Sequence, residues 1–236
     1  MKRMAGLVLV TAALVVVAAA VVAEGSAKDS GKVITLFNGK DLTGWKIRGT
    51  KEKSLWVVGT VKVDPDDPKK VVMEAGGTDL IDKARSEDIY TEEEFGDCTI
   101  SCDVFVPKGS NSGIYPMGRY EVQVCDSYGK EKGFGPGDMG GIYSTAGPKN
   151  PKYLKPGEWN TFEIVFQAPK FDADGKKTVN AKFVKVVLNG ATIHENLEVA
   201  KPTGGELGKE AAKGPLMLQG DHGPVAIRNL KITPAK

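Results

Sequence analysis

The sequence predicts an all-β protein built as a sandwich of two antiparallel sheets. Roughly a dozen short segments alternate apolar and polar residues, which is the pattern of half-buried strands. Glycine, proline, asparagine and aspartate provide turn signals at short intervals, and helical periodicity is almost absent. The strand–helix alternation of a doubly wound fold is missing, and no internal repeat indicates a propeller or solenoid.

The N-terminal third begins with a predicted strand at 33–37, which is followed by turn signals. Residues 87–95 are the one stretch with helical character, although Tyr90 and Thr91 weaken it. Short strands are expected at 55–58, 60–63, 71–74 and 79–81.

The clearest strand is predicted at 98–106, where apolar residues alternate with polar ones until Pro107 ends the pattern. Residues 159–167 alternate almost as strongly. The Asn189-Gly190 pair lies between two alternating runs and predicts a tight hairpin. Further strands are expected at 141–144, 182–188, 191–194, 216–219 and 226–233.

The first 23 residues have the features of a secretory signal peptide. Lys2 and Arg3 form a basic start, residues 7–22 are apolar apart from Thr11, and small residues lead to a cleavage site after Ala23. A polar linker at 24–32 then precedes the domain. We therefore expect a secreted or periplasmic protein with no stable membrane insertion once the signal is removed. An uncleaved anchor is the alternative, since the apolar run is only somewhat shorter than a span of about 20 residues.

The charge balance argues against a polyanionic partner. The chain has 32 basic and 30 acidic residues, and loss of Lys2 and Arg3 with the signal leaves 30 of each. A zero balance gives no electrostatic reason to expect nucleic acid, so a neutral small ligand fits better.

The three cysteines, Cys98, Cys102 and Cys125, are predicted to be unpaired. An odd number leaves at least one free thiol. Cys98 and Cys102 share a strand face, but four strand residues separate them by roughly 13 Å, which is too far for a disulfide. We expect two of the three to act as small core residues.

Residues 119–126, RYEVQVCD, are predicted to form a strand with one apolar and one polar face. Val122 and Val124 lie on one side, whereas Glu121 and Gln123 lie on the other. Long turn-rich segments flank the strand, as in many binding clefts on β scaffolds. The alternative is a solvated outer face.

Six segments, taken in order, add a more specific signal. They are LFNGKDLTGW at 36–45, SNSGIY at 110–115, YEVQVCDS at 120–127, GEWNTFEI at 157–164, VLNG at 187–190 and LQGDHGPVAIRNLKI at 218–232. Together they resemble the 3-keto-disaccharide hydrolase family, also described as 3-keto-glucoside 1,2-lyase and 3-keto-2-hydroxy-glucal hydratase. The resemblance covers 33–234 and implies one concanavalin-A-like jelly-roll domain that acts on 3-keto-glycosides. This fold also serves lectins, so a non-catalytic carbohydrate-binding module is the alternative.

Two residues are the leading catalytic candidates. Cleavage next to a ketone needs a base for the acidified C2 hydrogen, an acid for the leaving oxygen and stabilisation of the enolate. Glu121 is the candidate base, or a metal ligand, and His222 is the candidate acid because histidine titrates near neutral pH. Alternatively, Glu121 binds a sugar hydroxyl or solvent, and His222 is a loop residue paired with Asp221.

Other polar residues are candidates for binding substrate. The set comprises Gln123, Asp126, Arg119, Tyr143, Gln219, Asp221 and Asn111. The sequence leaves open whether a divalent metal ion polarises a carbonyl group of the substrate. The DADG segment at 172–175 lacks the final glutamate of a calcium loop, and no helix follows the glycine-rich run at 133–141 to hold a phosphate.

Overall fold

The computed structural model describes residues 31–205 and 207–235. Within them the chain is almost entirely β-structure, with two short 3₁₀ turns at Lys51–Lys53 and Pro116–Gly118. The strands are β1 (Ile34–Thr35), β2 (Trp45–Arg48), β3 (Trp56–Val63), β4 (Val71–Asp82), β5 (Asp88–Phe95), β6 (Cys98–Phe105), β7 (Asn111–Tyr115), β8 (Val122–Cys125), β9 (Trp159–Gln167), β10 (Lys170–Phe171), β11 (Lys177–Val179), β12 (Ala181–Leu188), β13 (Ala191–Val199), β14 (Gly214–Leu218) and β15 (Val225–Pro234).

The predicted jelly-roll sandwich of two antiparallel sheets is confirmed. One sheet has eight strands in the order β13-β12-β9-β6-β15-β4-β3, with β1 added beside β15. The other has five strands in the order β2-β5-β14-β7-β8. A separate two-stranded hairpin, β10-β11, carries the turn at 172–175. Several neighbouring strands, such as β6 and β9, β6 and β15, or β5 and β14, come from distant parts of the chain, as jelly-roll connections require.

The core lies between the two sheets and follows the alternation of the sequence. Val122 and Val124 of β8 are buried in the main apolar cluster, together with Ile100 of β6 and Ile164 of β9. Cys98 and Cys102 also belong to this cluster, and all three thiols are free, as predicted. Cys125 is buried as well, although only two of the three were expected to be core residues. Burial raises the pKa of the Cys98 thiol to about 12. The cysteines therefore act as small apolar residues.

The expected helix at 87–95 is wrong, because these residues form strand β5. Tyr90 and Thr91 are residue types that favour strands, and tertiary pairing decides the outcome. Strand β5 pairs with β2 on one side and with β14 on the other, so both edges are satisfied. The Thr91 hydroxyl also accepts a hydrogen bond from the backbone amide of Leu216.

Several other boundaries differ from the sequence prediction. Strand β3 runs through a bulge at Gly59/Thr60, where two separate strands were expected. Residues 71–82 form one long strand, β4. Residues 111–115 form strand β7, although Ser112 and Gly113 favoured a loop. The strand expected at 141–144 is reduced to isolated bridges at Ile142.

The N-terminal prediction lies outside the described residues. The signal peptide at 1–23 and all but the last two residues of the linker fall there. In the part of the chain that the structure describes, no helix is long and apolar enough to cross a bilayer.

Candidate functional site

A polar cleft of about 410 Å³ lies on the outer face of the five-stranded sheet. Its walls come from β2, β5, β7 and β8, from the segment after β14, and from the loop at 203–205. The lining residues are Arg48, Glu87, Asp88, Asn111, Tyr115, Glu121, Gln123, Tyr143, Gly204, Gly205, Gln219, Asp221 and His222. The face of β8 predicted to bind ligand therefore lies in a cleft and not against open solvent.

Glu121 lies immediately before β8 and is only 4% exposed. Its backbone is held on both sides, because its amide donates to Thr203 Oγ1 at 2.8 Å and its carbonyl accepts from the Tyr143 amide at 3.2 Å. Burial raises the pKa of its carboxyl to about 7, although Tyr115 and His222 partly offset this rise. The carboxyl is thus poised to exchange a proton near neutral pH.

Gly113 makes room for this carboxylate. It lies opposite Gln123 in the pairing of β7 with β8. A Cβ atom at this position would lie 2.6 Å from Glu121 Oε1 and 2.7 Å from Cε2 of Tyr115. Only glycine lets the Glu121 side chain lie over strand β7 beside the Tyr115 ring.

Tyr115 is a buried hydroxyl donor next to Glu121. Burial and the charge of Glu121 both raise the pKa of its phenol, so it stays protonated. Gln219 Nε2 lies 3.4 Å from its oxygen. A neutral phenol fixed beside a base can donate a hydrogen bond to a developing oxyanion.

Three amide side chains line the cleft and have buried oxygens without a hydrogen-bond partner. Asn111 Oδ1, Gln123 Oε1 and Gln219 Oε1 are buried and have no hydrogen-bond partner. A buried acceptor without a partner costs about 1–3 kcal/mol. The amide, carboxylate and hydroxyl side chains that line the cleft can exchange hydrogen bonds with the hydroxyl groups of a ligand, so the cleft suits a polyhydroxylated molecule.

His222 lies at the rim, in the loop between β14 and β15. Its Nδ1 is hydrogen-bonded to the carboxylate of Asp221, and both side chains are about half exposed. Glycines on either side make the tight loop feasible. A Cβ on Gly220 would lie 2.4 Å from the Glu87 carbonyl oxygen, and Gly223 has a φ of 154° beside Ser110. The structure therefore brings His222 and Glu121 to one cleft from distant parts of the sequence.

An ion pair that the sequence analysis missed closes one side of the cleft. Arg48 Nη1 lies 3.3 Å from Asp88 Oδ2 and donates to the Gly205 carbonyl at 2.6 Å. Asp88 Oδ1 accepts from the Gly220 amide at 2.9 Å, which ties β5 to the His222 loop. Burial raises the pKa of Asp88.

These residues were missed for identifiable reasons. Asp88 lies in the stretch interpreted as a helix, and β2, which carries Arg48, was not predicted. Tyr115 was noted in the sequence only as part of the SNSGIY segment. Its alternation with Gly113 is the signal that would have placed it on the polar face.

Two predicted binding residues lie elsewhere. Arg119 is buried and donates to the backbone carbonyls of Lys209 and Met117, each at 2.7 Å, so it holds loops together. Asp126 accepts from the amides of Gly109 and Tyr128, which makes it a turn cap. Neither lines the cleft. Among the other predicted residues, Tyr143, Asp221, Gln123, Gln219 and Asn111 all do.

The residues present do not form a recognisable metal centre. Within 31–205 and 207–235, no group of three or more His, Cys, Asp or Glu side chains is arranged to hold an ion. No step below depends on a metal.

A sandwich with a polar, hydrogen-bonding cleft on one sheet is typical of carbohydrate-active proteins. The family model for the 3-keto-alpha-glucoside-1,2-lyase-like domain matches residues 32–233, and the chain belongs to this family. The resemblance predicted from the sequence is thereby confirmed, and membership supports a carbohydrate-active function.

Solved structures agree with this assignment. One provisionally named glycosyl hydrolase from Parabacteroides distasonis ATCC 8503 is 28% identical, with 86% of this chain and 89% of that chain covered and a TM-score of 0.65. Two others from the same organism have 19% and 23% identity and TM-scores of 0.60 and 0.54, over 86% of this chain and 94% and 100% of theirs, which shows the fold. Comparison with curated proteins gives no significant match.

Proposed function

We propose that this protein is an exported enzyme that cleaves 3-keto-glycosides by elimination followed by hydration. The observation that carries the proposal is a buried carboxyl, Glu121, beside the Tyr115 hydroxyl in a cleft lined by amide side chains. The family supplies the substrate class.

In the first half-reaction, the Glu121 carboxylate removes the proton from C2, which the neighbouring C3 ketone has acidified. The electron pair of that bond moves towards the ketone oxygen and forms an enolate. The protonated Tyr115 hydroxyl beside Glu121 is the donor that can stabilise this charge. The enolate then re-forms the ketone as the C1–O bond breaks, and His222 gives a proton to the leaving oxygen.

The second half-reaction reverses the proton transfers on the enone product. Water adds to C1, His222 accepts a proton from the water, and Glu121 returns a proton to C2. The net result is hydrolysis of the glycosidic bond, with both residues restored to their starting states. A base with a pKa near ambient pH suits a residue that must both accept and return a proton.

Turnover of a 3-keto-disaccharide tests the proposal. We expect release of free sugar, with transient enone absorbance, and loss of both signals in Glu121→Gln. Assays with and without divalent cations should be run in parallel. No turnover in any condition contradicts the enzymatic role. Calorimetric binding of intact glycans that Glu121→Gln leaves unchanged would then favour the carbohydrate-binding module.

Export is proposed from the N-terminal sequence alone. Expression in a bacterial host should give a mature protein beginning at Glu24, found in the periplasm or medium. An intact Met1 terminus in the membrane fraction would favour the anchor.

A further inference from the structure

A second concave region lies directly beside the cleft and has the opposite charge. It has a volume of about 460 Å³ and is lined by five cationic side chains, Lys69, Lys70, Lys83, Arg85 and Lys108. We name this set the basic trough. The remaining lining residues include His222 but no aspartate or glutamate.

Most of the positive charge in the basic trough is not neutralised by the protein. Lys70 pairs with Asp67 at 3.2 Å. Lys69 interacts electrostatically with the same carboxylate. Among the residues that the structure describes, Lys83, Arg85 and Lys108 form no ion pair. Because the mature chain is expected to have a net charge near zero, three such cations in one depression are a local excess that favours an anionic ligand.

Backbone hydrogen bonds hold the loops of the basic trough together. The Lys108 amide donates to the Pro68 carbonyl at 2.9 Å, which joins the loops that carry Lys69 and Lys108. The Ser86 amide donates to the Gly220 carbonyl at 2.8 Å, which joins the loop of Lys83 and Arg85 to the His222 loop. The loops that carry the cations are therefore connected to one another by hydrogen bonds.

The cleft and the basic trough meet at His222, which lines both. The cleft side contains the carboxylates of Glu87, Asp88, Glu121 and Asp221 and one cation, Arg48, which is paired with Asp88. A ligand that extends from the cleft past His222 therefore leaves an acidic environment and enters a basic one. The part in the cleft should be neutral, and the part in the basic trough should be anionic.

We propose that the basic trough binds an anionic group, a carboxylate or a sulfate, on the part of the substrate that leaves. This specificity rests on the proposed function, in which His222 protonates the leaving oxygen. If the scissile bond lies between Glu121 and His222, the group beyond His222 is the leaving group. The preferred substrate is then a 3-keto-glycoside of an acidic sugar, such as a uronate or a sulfated residue.

Matched substrates test this specificity. Three 3-keto-glucosides should be compared, with glucose, glucuronate or glucose 6-sulfate as the leaving sugar. We expect kcat/KM for a charged leaving sugar to exceed that for glucose by about tenfold at low ionic strength, as several exposed ion pairs allow. About 0.5 M salt should reduce this preference by screening. The uronate and sulfate arms show which anion is used.

A variant that lacks three cations of the basic trough is the decisive test of this specificity. The triple variant Lys83→Gln/Arg85→Gln/Lys108→Gln should lower the preference to within about twofold and leave turnover of the glucose substrate unchanged. Its matched control is Lys176→Gln/Lys185→Gln/Lys231→Gln, which removes three exposed cations outside the basic trough. Equal kcat/KM for neutral and charged substrates in the wild type, or a preference that survives in the triple variant, overturns the proposal.

A separate binding measurement distinguishes this proposal from the proposed function. If all three keto-glucosides are inert, the catalytic proposal fails, and calorimetry with trigalacturonate then tests the basic trough alone. Binding to the wild type that the triple variant loses supports an anionic glycan site. No binding, or binding only to vesicles that contain phosphatidylglycerol, overturns it in favour of no ligand or an anionic lipid surface.

Discussion

At the scale of single residues, the chemistry depends on what burial does to Glu121. An exposed glutamate is almost fully ionised at neutral pH and is a weak base. The site withdraws Glu121 from water beside the Tyr115 phenol, and burial raises the pKa of the carboxyl to about 7. Because the base must be deprotonated to act, the limb of the kcat/KM profile that rises with pH should have its midpoint near pH 7. An acidic limb near pH 4.5 would show that Glu121 is not the base.

The proposed mechanism also predicts how Glu121 and His222 act together. Glu121→Gln and His222→Gln should each lower turnover by a factor of about 10² or more. The double variant should lose much less than the product of the two, since residues that act as a unit are not additive. Circular dichroism provides the folding control. Near-normal turnover in either single variant contradicts the acid–base pair.

At the scale of elements, strands β7 and β8 decide where the base lies. Gly113 of β7 faces the Glu121 carboxylate, and a methyl group there would lie 2.6 Å from Oε1. Gly113→Ala should therefore displace Glu121 and lower kcat by about 10²-fold, because a shift of about 1 Å has this effect in active sites. The thermal midpoint should fall as well, because the methyl group would also lie 2.7 Å from the ring of the buried Tyr115.

Gly135→Ala is the matched control for this prediction. Its added Cβ would find its nearest neighbour, Asp138 Oδ2, at 3.8 Å, which is an ordinary contact. Unchanged kcat in Gly113→Ala would mean that the position of Glu121 does not depend on β7.

At the scale of the whole molecule, a buried carboxyl links stability to pH. Asp82 at the end of β4 is fully buried, and neither of its oxygens has a hydrogen bond of normal geometry. Burial raises its pKa to about 7, with a smaller contribution from Asp88. The folded state therefore loses stability as pH rises from about 4, where the unfolded carboxyl ionises, to about 7.

Asp82→Asn should remove this loss. Relative to the wild type, the variant should gain unfolding free energy between pH 4 and 7, by at most about 4 kcal/mol, and keep a constant difference above that range. Urea denaturation across the pH range measures it. Asp67→Asn is the control, because hydrogen bonds lower the pKa of Asp67 and the change should have the opposite sign. A pH-independent difference for Asp82→Asn contradicts the prediction.

Local patterns in the sequence determined much of the architecture. The strands at 98–105 and 159–167, the Asn189-Gly190 turn and the apolar face of β8 were all predictable. Each depends on alternation with a period of two, or on turn residues next to one another in the chain. The order of six segments identified the family, and the alternation at 119–126 placed Glu121 and Gln123 on one polar face.

Only the tertiary structure decided which residues share the cleft. The strand order β2-β5-β14-β7-β8 brings Arg48, Asp88 and Tyr115 beside Glu121, and it places Arg119 and Asp126 outside the site. It also made a strand of 88–95, whose local pattern favoured a helix. Packing and hydrogen bonds between distant segments determine which strands are neighbours in a jelly roll. A short window of sequence does not show which distant segments will pair.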